Sequence, residues 1–143
     1  MSSAAIPKGH LRFIQWAVNT YHIPLDHKIC SLAAAWGHLK ILKWLRNKGA
    51  SWNELVCSIA TYNGHLDVLK WAHQNGCPWN SHVCSIAAAT GQLDILQWAR
   101  MNDCPWDSQV IFLATKYGHL EVLQWAVEND PLKPGVGGTA NFF

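Results

Sequence analysis

"GHLDVLKWA", residues Gly64 to Ala72, sets His65 directly behind a glycine and Asp67 two positions further on, an arrangement that could serve chemistry. Four other stretches have the same form: "GHLRFIQWA" from Gly9, "GHLKILKWL" from Gly37, "GQLDILQWA" from Gly91 and "GHLEVLQWA" from Gly118. Their leading glycines are 28, 27, 27 and 27 residues apart, and between them run "CSLAAAW", "CSIATYN", "CSIAAAT" and the diverged "IFLATKY". A fixed period of this length marks a repeat array, in which each unit is one supersecondary element and stacking of units makes the core.

Within a unit, Leu66, Val68, Leu69 and Ala72 form an apolar stripe at helical spacing, while Asp67, Lys70 and Gln74 occupy the opposite face. The pattern predicts an amphipathic helix, at about 38–48 in the Gly37 copy. The Ala-rich segment before each glycine, such as Ser81 to Thr90, reads as another helix, small enough for neighbours to approach closely. Asp26, Asn53, Asn80 and Asp107 stand just before these segments, where a side-chain oxygen can accept from the unpaired amides of a first helical turn. Past the amphipathic helix come "GASWN", "GCPWN" and "DCPWD". Gly49 and Gly76 fall where a chain leaving a helix needs positive φ, Asp103 is a poorer substitute, and Pro78 and Pro105 stop the helix from continuing.

The segment "GHLDVLKWAHQNG" resembles the second half of an ankyrin repeat, whose pattern runs roughly G-H-L-E-V-V-K-L-L-L-x-x-G-A. Ala33-Ala34 and Ala87-Ala88 match the end of that family's first helix, with Ala60-Thr61 close to it. The resemblance recurs in register over residues 9–130 and implies an all-α solenoid of stacked helix-turn-helix repeats. The units here depart from the family, being 27 residues long against about 33 in an ordinary ankyrin unit. The shortfall lies where the family carries a β-hairpin finger, so those fingers should be shortened or absent, and the family's T-P-L-H opening is missing. Short, Trp-rich units of this kind are similar to ankyrin repeats present in many copies in large DNA viruses and some protists, where arrays often accompany an F-box. Residues 1–8 read as the remnant of an incomplete repeat, 9–130 as half a repeat plus four units, and 131–143 as a Gly/Pro-rich tail whose Phe142 and Phe143 could fold back over the last helices.

Composition narrows the function classes. Half of the 143 residues are hydrophobic, nine are Trp and only 14% are charged, enough material for a continuous core. A net charge of +2 without a long Lys/Arg run gives little footprint for nucleic acid. No apolar run is long enough to span a bilayer and "MSSAAIPKGH" lacks the core of a secretory signal, which leads to the expectation of a cytoplasmic protein, in the host cell if viral. Five Cys, an odd number, fit a reducing compartment better than a disulfide scaffold.

Cys30, Cys57 and Cys84 recur in register with Ile111, which reads as an apolar core position and not as a metal or nucleophile site. Cys77 and Cys104 fall in the loops and are expected to be more accessible. Trp16, Trp44, Trp71, Trp98 and Trp125 read as a packing ladder between repeats, with Trp52, Trp79 and Trp106 closing the loops onto the helices. His10, His38, His65 and His119 open the amphipathic helices and Gln92 takes the place once; Gln can hydrogen-bond but cannot act as a base, so a structural hydrogen bond is expected. No nucleotide, nucleophile-elbow or zinc motif is present, and neither catalysis nor a cofactor is expected.

The functional expectation rests on positions that vary while the frame holds. These are Trp36, Tyr62 with Asn63, Thr90 and Lys116 with Tyr117 before the repeat glycine, and Lys48, Asn75 and Asn102 at the end of the amphipathic helix. In ankyrin proteins the matching positions line a concave recognition surface, so the resemblance implies binding of a protein partner. Tyr and Trp are enriched at binding hot spots, although partly exposed aromatics on an ordinary surface would give the same pattern. Two alternatives stand beside this reading: an array that self-associates head to tail through uncapped ends, and a binder of single-stranded nucleic acid.

Overall fold

The computed structural model describes residues 11–130, and every described element is helical: α1 (Leu11–Tyr21), α2 (His27–Trp36), α3 (Leu39–Asn47), α4 (Glu54–Tyr62), α5 (Leu66–Gln74), α6 (His82–Ala89), α7 (Leu93–Met101), α8 (Gln109–Lys116) and α9 (Leu120–Glu128). No strand occurs among the described residues, so the hairpin fingers are absent there. Residues 1–8, His10, and the 131–143 tail with Phe142 and Phe143 lie outside the described residues.

The even-numbered helices begin where the capping residues predict. Asp26 accepts from the Lys28 amide, Asn53 from Leu55, Asn80 from His82 and Asp107 from Gln109, each at 3.0 Å. Each satisfies an amide that the first turn leaves without an intrahelical partner. At the far end of α1, α3, α5 and α7 the chain turns through one left-handed residue. Those residues are His22 (φ 51), Gly49 (φ 94), Gly76 (φ 88) and Asp103 (φ 62), spaced by one repeat. His22 is the first member of this series and a non-glycine one, which its sequence context "TYHIP" does not announce.

The chain forms two compact units, Met1–Trp79 and Asn80–Phe143. In the first, α2 packs along α4, and α2 and α4 each fold back on their own partners, α3 and α5. In the second, α6 packs along α8, with α7 and α9 folded back on them in the same way. Helical repeats are thus stacked inside each unit. Their core consists of Ile41, Leu42, Leu45, Val56, Val68 and Leu69 in the first, and of Val83, Ile95, Leu96, Val110 and Val122 in the second, all effectively without solvent contact. Ala33-Ala34, Ala60 and Ala87-Ala88 are buried at the contact lines, where a larger side chain would hold the helices apart. None of the described helices is long and apolar enough to cross a membrane.

Candidate functional site

The residues that vary between repeats occupy two ends of the helical pairs. In the first unit Trp36 and Tyr62 terminate α2 and α4, and Asn63 caps α4, so these three sit where the first helix of a pair turns into the second. Lys48 and Asn75 cap α3 and α5 at the other end of the second helix, about 13 Å away for nine residues. In the second unit Thr90, Lys116 and Tyr117 stand at the turn end of α6 and α8, while Asn102 caps α7 at the loop end. The structure therefore places Trp36, Tyr62 and Asn63 at the turn ends of the first unit, and Thr90, Lys116 and Tyr117 at those of the second. It does not join either group to Lys48, Asn75 or Asn102.

The two ends differ in chemistry. The side-chain amides of Asn75 and Asn102 donate to the carbonyls of Trp71 and Trp98 at 2.8 Å, one turn back in their own helices. Asn129 does the same to Trp125, so these residues finish the frame by satisfying a helix-end carbonyl. Lys48 lies 6.0 Å from the Trp44 ring. At the turn end, Asn63 likewise donates to the Ile59 carbonyl, and the Thr90 hydroxyl to that of Ile86. Tyr62 is 66% exposed and Tyr117 53%, and the Lys116 ammonium lies 5.4 Å from the Tyr117 ring centre. Trp36 is half-buried beside His38, with ring centres 6.3 Å apart.

Repeat histidines act in the frame. His65 Nε2 lies 3.1 Å from the Ala35 carbonyl and His119 Nε2 3.0 Å from that of Ala89, in each case reaching the preceding repeat of its own unit. A carbonyl oxygen only accepts, so Nε2 carries the proton. Gln92 donates instead to the Thr90 hydroxyl at 2.8 Å. The imidazole role is thus a tie between repeats.

The tryptophans of the second helices are half-buried, not core, and Trp16 is 47% exposed in edge contact with Tyr21. Their main partners are the loop tryptophans: Trp71 meets Trp52 edge-on at 5.7 Å, and Trp125 meets Trp106 at 6.0 Å. Lys43 of the preceding repeat stands 5.9 Å from the Trp71 ring, Arg46 lies 4.1 Å from that of Trp52, and His73 stacks on Trp79 at 3.9 Å. Rings engaged this way do not offer the free faces on which single-stranded bases stack.

The thiols correct one expectation. Cys77 and Cys104 are each only 3% exposed, buried like the helical cysteines. The Cys77 amide bonds back to the Ala72 carbonyl at 2.9 Å and the Cys104 amide to Ala99 at 3.0 Å, which turns both side chains inward. There the thiols donate to the carbonyls of Asn53 and Asn80 at 3.4 and 3.5 Å. Hydrogen bonding with Cys57, together with burial, raises the pKa of the Cys77 thiol, and burial pushes that of Cys30 up to about 11. Thiols held protonated in this way are poor nucleophiles and poor ligands. No three His, Cys, Asp or Glu side chains among the described residues converge on a metal-sized site.

The family model for ankyrin repeats (many copies) matches residues 29–73, a span that begins within α2 and ends within α5. Over that span the chain is similar to ankyrin repeats. Ankyrin repeats are in general protein–protein interaction modules, and the family is typically non-enzymatic. No curated protein matches the chain. The exposed Tyr62 and Tyr117 stand at the turn ends of α4 and α8. Tyr21, in its cluster with Trp16 and Phe13, adds an exposed aromatic that the repeat pattern hides, because α1 alone extends to that residue.

Proposed function

We propose that this ankyrin-repeat chain recognises a protein partner, without catalysis, through the turn ends of its helical pairs. The observation that carries the reading is the exposure of Tyr62 and Tyr117 on helix ends whose backbones are already fixed by the frame. Asn63 in the first unit and Lys116 and Thr90 in the second supply polar contacts around them, and Trp36 contributes its exposed edge. A contact surface that is ordered before binding loses little entropy on association, and two χ angles per tyrosine keep that cost low. Lys48 and Asn75 in the first unit and Asn102 in the second offer separate polar contacts at the loop end, about 13 Å from the turn end of the same helix. Lys116 favours an acidic partner. Five free thiols, all buried, suit the cytoplasm, where we place the chain.

Affinity capture with the wild type and with Tyr62→Ala/Tyr117→Ala tests the reading, each first shown by thermal melt to be folded. A specific partner lost only by the double variant supports it. Equal capture by both chains puts recognition elsewhere.

A further inference from the structure

We propose that this chain associates with a second copy of itself, the α8/α9 face of one copy seating on the α1/α2 face of the next. The inference does not rest on Tyr62 or Tyr117, and shares with that surface Trp36, which also lines the groove on the α1/α2 face.

Burial compared in repeat register identifies the two faces. In the first unit Ile29 is half-buried, whereas Val56, one repeat on, is wholly buried. Leu32 is 50% exposed where Ile59 is half-buried, and Phe13 is half-buried where Ile41 and Val68 are covered. These positions face the preceding repeat, and in α1 and α2 they open into an apolar groove of about 330 Å³ lined by Ile14, Ile23, Ile29, Leu32 and Trp36. The second unit shows the opposite sense. Cys84 and Leu96 are buried, but Ile111 and Leu123 are half open, and Ala88 is covered where Thr115 is exposed. These positions face the following repeat.

Phe112 sharpens the match. Its register equivalents Ser31, Ser58 and Ser85 are small and buried, whereas Phe112 is 56% exposed. A phenyl ring at a position that otherwise holds serine needs a cavity, and the groove under Leu32 and Trp36 provides one. Charge agrees. Residues 11–79 hold seven Lys/Arg against three Asp/Glu, a net of +4, and residues 80–130 hold two against six, a net of −4. The acidic set includes Glu121 and Glu128 on α9, and the groove rim carries Lys28 beside Asp26, within a unit that is basic as a whole. Association of unlike faces is heterologous and grows into longer chains unless it closes. Its electrostatic part weakens with salt.

Sedimentation equilibrium of the full chain over a concentration series tests this. The expected result is a weight-average mass that climbs past twice the monomer mass and falls when salt is raised. Leu32→Lys blocks one face and Phe112→Ser restores the frame's own residue on the other; both sites are exposed, so folding should survive, as circular dichroism checks. Each variant alone should stay monomeric, and an equimolar mixture should stop at a heterodimer, because one good pair of faces remains. A wild type that is monomeric throughout, variants that still associate, or a mixture that stays monomeric would overturn the proposal.

Discussion

The ring of His65 fills the space that a side chain on Gly37 would need. A Cβ built on Gly37 would fall 2.6 Å from Nδ1 of that imidazole, and Gly91 stands in the same relation to His119. The repeat glycine therefore meets two demands, a left-handed turn at φ 74 and room for the histidine of the next repeat. Gly49 meets only the first, since nothing lies near its missing Cβ. Gly49→Ala should cost about 1–2 kcal/mol from backbone strain alone. Gly37→Ala should cost more, adding a displaced ring and the loss of about 1 kcal/mol for its hydrogen bond to Ala35. Denaturant melts of Gly37→Ala, His65→Ala and the double variant check this: the double should cost less than the sum of the singles. Strict additivity would show that glycine and histidine do not communicate.

The same tie predicts what can replace histidine. His65→Gln should lose less stability than His65→Ala, since Gln92 fills this place in one natural repeat and finds the Thr90 hydroxyl. Asn63 occupies the equivalent place next to His65, so the introduced glutamine has a polar neighbour. Thermal melts of the two variants, with Gln above Ala, are the measurement.

The frame was legible in the sequence because each of its devices is local. Asp26, Asn53, Asn80 and Asp107 cap the amides two residues on, and a cap, a turn glycine and a 3.6-residue stripe all act within one or two turns. What stayed hidden depends on three-dimensional closure. Cys77 follows a turn glycine and precedes a proline, the surroundings of an exposed loop, yet its backbone bond to Ala72 carries the side chain inward. The variable positions recur at two points of each unit, before the repeat glycine and at the end of the amphipathic helix, and the helical fold sets these at opposite ends of the second helix. Ile29 and Val56 share a position, and only packing reveals that one lacks a neighbour.

Second-helix tryptophans contribute less than their size suggests. Trp71 is half-buried against Trp52, while Leu69 is completely buried. Leu69→Ala should cost about 2–5 kcal/mol, as buried leucines do. Trp71→Ala should cost about 2 kcal/mol, below the range for a fully buried aromatic. Urea melts compare the two, and a Trp71 variant less stable than the Leu69 variant would mean that the Trp71–Trp52 contact outweighs the leucine core.

The buried thiols make stability fall at alkaline pH. An unfolded cysteine loses its proton near 9.0, whereas Cys30 in the fold holds it until about 11. Between those values the unfolded chain binds fewer protons than the native one, so raising pH favours unfolding. The slope is about 1.4 kcal/mol per pH unit for one thiol held protonated, and Cys77 adds to it in the same direction. Stability below pH 9 is untouched by these groups. Urea midpoints between pH 8 and pH 11 should decline, and Cys30→Ala/Cys77→Ala should flatten the decline even though the variant is less stable at pH 8. The native chain should also resist an aromatic disulfide reagent at pH 8, the thiols of each unit reacting together only as urea unfolds that unit. Rapid labelling of one or two thiols without urea would instead mean that the Cys77 or Cys104 turn opens in the folded state.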